Sequence, residues 1–194
     1  METNYNNVII SGKLDQLSYG YICSGKNYYK TTIHSRRFSG VADHIQLIIP
    51  EDLAERAQIV PGEDYIIHAR LYSRDEKTSE KPRLRLFLMA CKILPVRGEI
   101  DCNTVELEGY VCKGPLFRRS KMGTEICQFT VATNYNDKPS YIPCVAFGST
   151  TLQLQNFMIG DKINVAGRVQ SREYLTKDFR EGITYEVAIK KVVN

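Results

Sequence analysis

Aromatic rings and basic side chains alternate with apolar residues at several places in this 194-residue chain. Along Tyr141-Ile-Pro-Cys-Val-Ala-Phe147, an extended backbone puts Tyr141, Val145 and Phe147 on one face and Ile142, Cys144 and Ala146 on the other. From Lys162 to Tyr174, Ile163, Val165 and Val169 take the core parity, while Lys162, Arg168, Gln170, Arg172 and Tyr174 take the opposite one. Upstream, Ile67, Ala69 and Leu71 point one way and His68, Arg70, Tyr72 and Arg74 the other, and Arg83, Arg85 and Phe87 share a face of the following run. Arg36 and Arg37 lie between His34 and Phe38, Arg118, Arg119 and Lys121 cluster before a glycine, and Tyr135 sits beside another turn. Rings stack on the open π-face of any base and cations pair with phosphates, so this chemistry suits a single strand of DNA held with little sequence preference. The plainer reading is packed aromatics beside a solvated charged edge.

Catalysis has little support. The chain has no phosphate-cradling glycine loop, no nucleophile elbow and no His/Cys cluster with metal spacing. His34, His44 and His68 stand alone, and Glu63-Asp64 and Asp75-Glu76 fall at strand ends. The expectation is a protein that is not an enzyme, with no catalytic residue, metal, cofactor or small-molecule substrate. A formal charge of +4 and a pI near 8.7 permit a polyanionic partner without demanding one. The six cysteines form no C-x-x-C pair and read as small buried hydrophobes in a reducing compartment. No basic segment precedes an apolar run at the start, and no apolar stretch approaches the roughly 18 residues of a membrane span. A cytoplasmic, nucleoid-associated protein without a membrane partner is expected.

The elements that must carry these side chains are strands, and they come twice. Gly25 falls on Gly123, Gly62 on Gly160, and Arg70-Leu-Tyr-Ser-Arg74 on Arg168-Val-Gln-Ser-Arg172. With a one-residue slip, Val8-Ile-Ile-Ser-Gly12 matches Val105-Glu-Leu-Glu-Gly109 and Lys92-Ile-Leu matches Lys191-Val-Val. Period-two runs place strands at 6–12, 27–35, 43–50, 63–74 and 83–93, and again at 104–112, 124–134, 140–148, 161–174 and 183–193. Short helices suit 52–57 and 151–157, between the third and fourth runs of each copy. The order β-β-β-α-β-β is that of the OB-fold. The expected fold is therefore all-β with short helices: two tandem five-stranded Greek-key OB barrels, residues 1–97 and 98–194, with finger-like loops after the first and fourth strands.

The second copy resembles the bacterial single-stranded DNA-binding protein family. Asn103-Thr-Val-Glu-Leu-Glu-Gly109, Gln128-Phe-Thr-Val-Ala-Thr133 and Tyr141-Ile-Pro-Cys-Val-Ala-Phe-Gly148 resemble the family's first three strands, and Gly160 to Arg172 its fourth. The resemblance implies base stacking at Tyr141, Phe147, Tyr174 and Tyr135, where the family carries aromatics. The first copy is more distant and is similar to primosomal OB proteins related to that family. This chain has no tryptophan, so tyrosine and phenylalanine must serve. It stops at Ile189-Lys-Lys-Val-Val-Asn194, so recruitment through the family's acidic tail is not expected.

Two functions follow. One is sequence-tolerant single-stranded DNA binding in replication, recombination or repair, with replication or recombination proteins as partners. The other is an OB-fold scaffold of a replication or conjugation complex with weak or no DNA binding. Because family members commonly join four OB domains, a chain carrying two implies a homodimer.

Overall fold

A computed structural model of the chain describes residues 4–37, 39–76, 83–98, 100–135, 138–175 and 181–193, with side chains at 76, 83, 138, 174, 175 and 181 left aside. The strands are β1 (Asn6–Leu14), β2 (Ser18–Cys23), β3 (Lys26–Arg36), β4 (Ala42–Pro50), β5 (Asp64–Glu76) and β6 (Arg83–Pro95), then β7 (Asn103–Arg119), β8 (Glu125–Tyr135), β9 (Lys138–Phe147), β10 (Lys162–Leu175) and β11 (Glu181–Val192). Helix α1 (Glu51–Ala57) follows β4, and a 3-10 helix, Gly148–Leu154, follows β9.

In the first half β1 pairs with both β3 and β5, β3 with β4 and β5 with β6, all antiparallel, and a parallel β4–β6 contact closes the ring. In the second, β7 pairs with β8 and β10, β8 with β9 and β10 with β11, and parallel β9–β11 closes it. These are the two OB barrels that the repeat implies. The alternating apolar residues fill them: Ile10, Ile33, Leu47, Ile67, Leu71 and Leu88 in one, Leu107, Val131, Ile142, Val165, Val169 and Val187 in the other. Ala54 of α1 and Leu154 of the 3-10 helix are buried in the respective cores.

A first strand that serves two neighbours must bend sharply, and glycine permits the close approach. A Cβ on Gly12 would collide with the His34 carbonyl, and one on Gly109 with the Ala132 carbonyl.

The structure departs from the sequence expectation in four ways. Ser18–Cys23 is a strand rather than a loop, turning into β3 through Ser24 and Gly25, whose φ values of 51° and 72° give the doubly left-handed turn that matches strand twist. The expected loop at 113–119 continues β7 in an irregular ladder with β8. The second helix starts three residues early, where the Thr151 hydroxyl donates to the Gly148 carbonyl at 2.7 Å. Cys23 and Cys91 are exposed, unlike Cys127 and Cys144, because one lies on the outermost strand and the other at the bulge of β6 opposite His68 and Ala69.

The barrels are joined by antiparallel pairing of β1 with β7, in which Val8 faces Val105. These valines are equivalent in the repeat, so an approximate two-fold axis passes between them. Its mates recur on either side. Asn6 closes a two-hydrogen-bond ring with the Leu71 backbone at 2.8 and 2.9 Å, and Asn103 does the same with Val169 at 2.9 and 3.0 Å. The Tyr141 amide donates to the Ser73 hydroxyl at 2.7 Å, and the His44 amide to Ser171 at 3.1 Å. Each fourth barrel strand thus rests against the other barrel's third.

Candidate nucleic-acid interface

The strand register puts two equivalent outer faces on the barrels. On the first, the β2–β3 hairpin stacks Tyr21 on Tyr28, with centroids 5.0 Å apart and planes 16° from parallel. Cross-strand neighbours Tyr72 of β5 and Phe87 of β6 stack at 5.9 Å and 19°. The Arg74 guanidinium lies 5.8 Å from the Phe87 centroid, and Arg70 lies 4.1 Å over the ring of Tyr135 from the other barrel. Arg70 also donates to Cys91 Sγ at 2.8 Å. Burial pushes the phenols of Tyr21 and Tyr72 above their ordinary pKa, against the pull of Arg74 and Arg70 respectively. The rings are therefore neutral plates edged by cations. Sequence reading found Arg70, Tyr72 and Arg74 but missed Tyr21 and Tyr28. The aromatic residues flanking Ser24-Gly25 were the available signal for that hairpin.

The second face is a groove of about 930 Å³ over β8, β9 and β11, walled by the β7 hairpin at Lys113–Leu116 and by Leu84 of β6. Tyr141 lines it and is 47% exposed. Phe147, at the far end of β9, is 43% exposed, but Val145 between them is buried, so the expected row of three is interrupted. Arg118, Arg119 and Lys121 are exposed on the hairpin. Arg118 Nε donates to Gln128 at 3.2 Å, and Arg119 pairs with Glu125 at 2.5 Å. Phe117 and Leu116 are exposed beside them, a feature the sequence reading passed over as loop. The cross-strand pair equivalent to Tyr72–Phe87 is here Gln170–Glu186, joined by a 2.8 Å hydrogen bond.

The remaining expected residues divide. Arg37 and Arg168 converge on Asp43, which has no solvent exposure. Arg37 reaches it at 2.5 Å and also donates to the Ser171 carbonyl at 3.0 Å, while the Ser171 amide donates to Asp43 at 2.8 Å. The expected basic face of β10 is therefore largely engaged: Lys162 pairs with Glu108 at 2.5 Å, Arg168 with Asp43, and Gln170 with Glu186. Arg168 is engaged because this strand lies against the other barrel, whereas Lys162 and Gln170 are engaged by neighbours on β7 and β11 of their own barrel. Arg70 and Tyr135 are turned on each other by the same packing. Arg172 and Arg36 are exposed, and Arg85 donates to the Ile183 carbonyl at 3.4 Å. Tyr174 and Arg83 lie on β10 and β6, with side chains outside the described residues, and Phe38 lies outside them altogether. Among the described residues no group of three or more His, Cys, Asp or Glu could hold a metal ion, and no helix is long and apolar enough to cross a membrane.

Comparison with known proteins accords with this architecture. The family described as Single-strand binding protein family matches residues 102–193. Single-stranded DNA-binding protein 1 of Staphylococcus aureus (strain COL) and Single-stranded DNA-binding protein 2 of strain MSSA476 are each 30% identical over 98 residues, covering 46% of this chain and 59% of the relative. The match thus spans about three fifths of those relatives. The wild-type single-stranded DNA binding protein from Thermus aquaticus superposes with a TM-score of 0.80 at 18% identity, covering 100% of this chain and 94% of that one, which establishes the shared two-barrel fold. It is thus the second barrel, residues 102–193, that is similar to the Single-strand binding protein family.

Proposed function

We propose that this protein binds single-stranded DNA without catalysing a reaction, stacking bases of any identity on Tyr72, Phe87, Tyr21, Tyr28, Tyr141 and Phe147. Arg74, Arg118, Arg119, Lys121 and Arg172 neutralise phosphates, and Tyr174, Arg83 and Phe38 add to these contacts. The observation that carries this reading is the first barrel's pair of ring stacks flanked by arginine, on the face that OB-folds use for oligonucleotides. The family match in the second barrel and the names of its relatives support it. The units are residues 1–97 and 98–194, and the setting is replication, recombination or repair in the cytoplasm at the nucleoid, beside proteins of those processes, as a homodimer.

Fluorescence titration with oligo-dT and with duplex of equal length, at several salt concentrations, tests the reading. Single strands bind far more tightly, and affinity falls with salt at a log-log slope near −0.7 per neutralised phosphate, about −3.5 for five contacts. Equal affinity for duplex, or a flat salt response, rejects it in favour of a protein-binding scaffold.

A further inference from the structure

The repeat supplies its own control for one row of side chains on the second barrel. Across neighbouring strands the ladder sets Lys162, Tyr110, Ala132 and Tyr141 side by side, from β10 through β7 and β8 to β9. The equivalent row of the first barrel is Asp64, Lys13, His34 and His44, from β5 through β1 and β3 to β4. Directly opposed residues of a ladder share a face, so each row stands on one side of its sheet. The first row is filled. Lys13 Nζ pairs with Asp64 at 3.1 Å, and His34 meets His44 edge to face with centroids 4.7 Å apart, while its Nε2 lies 2.8 Å from Asp15. The second row is open at the same place: its middle residue is Ala132, which carries only a methyl group, and Tyr110 and Tyr141 on either side are 42% and 47% exposed.

We infer that Tyr110 and Tyr141 are the two jaws of a slot that takes one base of the bound strand between them, with Ala132 as its floor. Neighbouring strands lie about 4.8 Å apart, so the two tyrosines stand on backbones roughly 10 Å apart. A flat ring held between two others at van der Waals contact needs about 7–8 Å. The tyrosines close that difference by leaning inward, which a methyl group between them permits and a longer side chain does not. The slot grips the π-faces of a base and not its edge, so it accepts any base and binding stays independent of sequence. The first barrel has no such slot, because the His34 imidazole fills the middle and Lys13 and His44 stand where the jaws would be.

This inference rests on the single-strand reading, and the test keeps the two apart. The intact chain is titrated with fluorescein-labelled oligo-dT as wild type, Tyr110→Ala, Tyr110→Phe, Tyr141→Ala, the double alanine variant and Ala132→Leu, each with its thermal melt. Y110A binds at least about fivefold more weakly, the lower end of one base–aromatic stack, and Y110F binds as wild type does. Because both rings hold the same base, the double variant loses less than the product of the two single losses. Leucine at 132 fills the slot without adding a charge, and A132L also binds at least about fivefold more weakly while folded. If A132L does not fold, the tyrosine variants decide alone. Wild-type affinity in Y110A or in folded A132L, or single losses that multiply in the double variant, overturns the slot and leaves single-strand binding intact. A wild-type protein that fails to bind oligo-dT overturns both.

Discussion

Asp43 is a charge with no access to water, held at the seam between the barrels. Burial alone would raise its pKa. The Arg37 hydrogen bonds, the Ser171 amide and the charges of Arg37 and Arg168 outweigh that and hold it below the ordinary carboxylate value. A depressed folded-state pKa contributes stability that is complete above the unfolded value of about 3.9 and is lost as pH falls through the folded one. Asp43→Asn removes the charge and leaves two guanidiniums facing each other, a loss of about 3 kcal/mol at neutral pH. Urea unfolding at pH 7 and below pH 4 checks the sign: the gap between wild type and variant narrows as wild type takes up its proton, and a pH-independent gap refutes the charge-based account. At the proposed contact surface, Tyr72→Ala and Tyr141→Ala each weaken oligo-dT binding by about 1–3 kcal/mol, the worth of one base–aromatic stack. Titration and thermal melting are measured together, since unchanged affinity with a much lower Tm shows that the rings serve packing alone.

Among the elements, β1 and β7 have the most demanding paths, because each pairs with three strands, β1 with β3, β5 and β7, and β7 with β8, β10 and β1. Gly109→Ala drives a methyl group into the Ala132 carbonyl, and calorimetry is expected to record a loss of about 1–3 kcal/mol. An unaffected Tm means the strand can shift its course freely. Ten barrel strands were legible because alternation of residues such as Ile163, Val165 and Val169 is imposed by a closed core, and the Val8/Val105 match fixed their duplication. The β2–β3 hairpin was not legible in the same way. On its outer strand β2, Tyr19, Ile22 and Cys23 are exposed, so burial imposes no period there, whereas β3 falls on the expected strand at 27–35. The site was legible where ring and cation share a strand parity, as at Tyr72 and Arg74. It was misleading at Arg37, Arg168, Arg70 and Tyr135, because a sequence shows the charges of a strand but not which other strand they face across an internal axis.

As a whole, the molecule joins its two barrels through the edges of β1 and β7, which are thereby covered within one chain. A second copy must therefore pack through another surface, such as the outer side of the continuous sheet β6-β5-β1-β7-β10-β11, where Ile66 lies beside the exposed Leu94. Light scattering without DNA is expected to give about twice 22.2 kDa, and a mass near 22.2 kDa at micromolar concentration rejects the homodimer. The internal axis has a further consequence. A nucleic acid strand has unlike ends, and a receptor with true two-fold symmetry accepts it equally in either direction. Here Tyr72 and Phe87 on one side answer to Gln170 and Glu186 on the other, and Asp43 with Arg37 and Arg168 has no counterpart in Ser140, Tyr135 and Arg70. Reversing a strand that crosses both faces makes a different complex with a different energy. On the single-strand reading proposed above, the two directions are thus unequal in energy, and one of them is preferred.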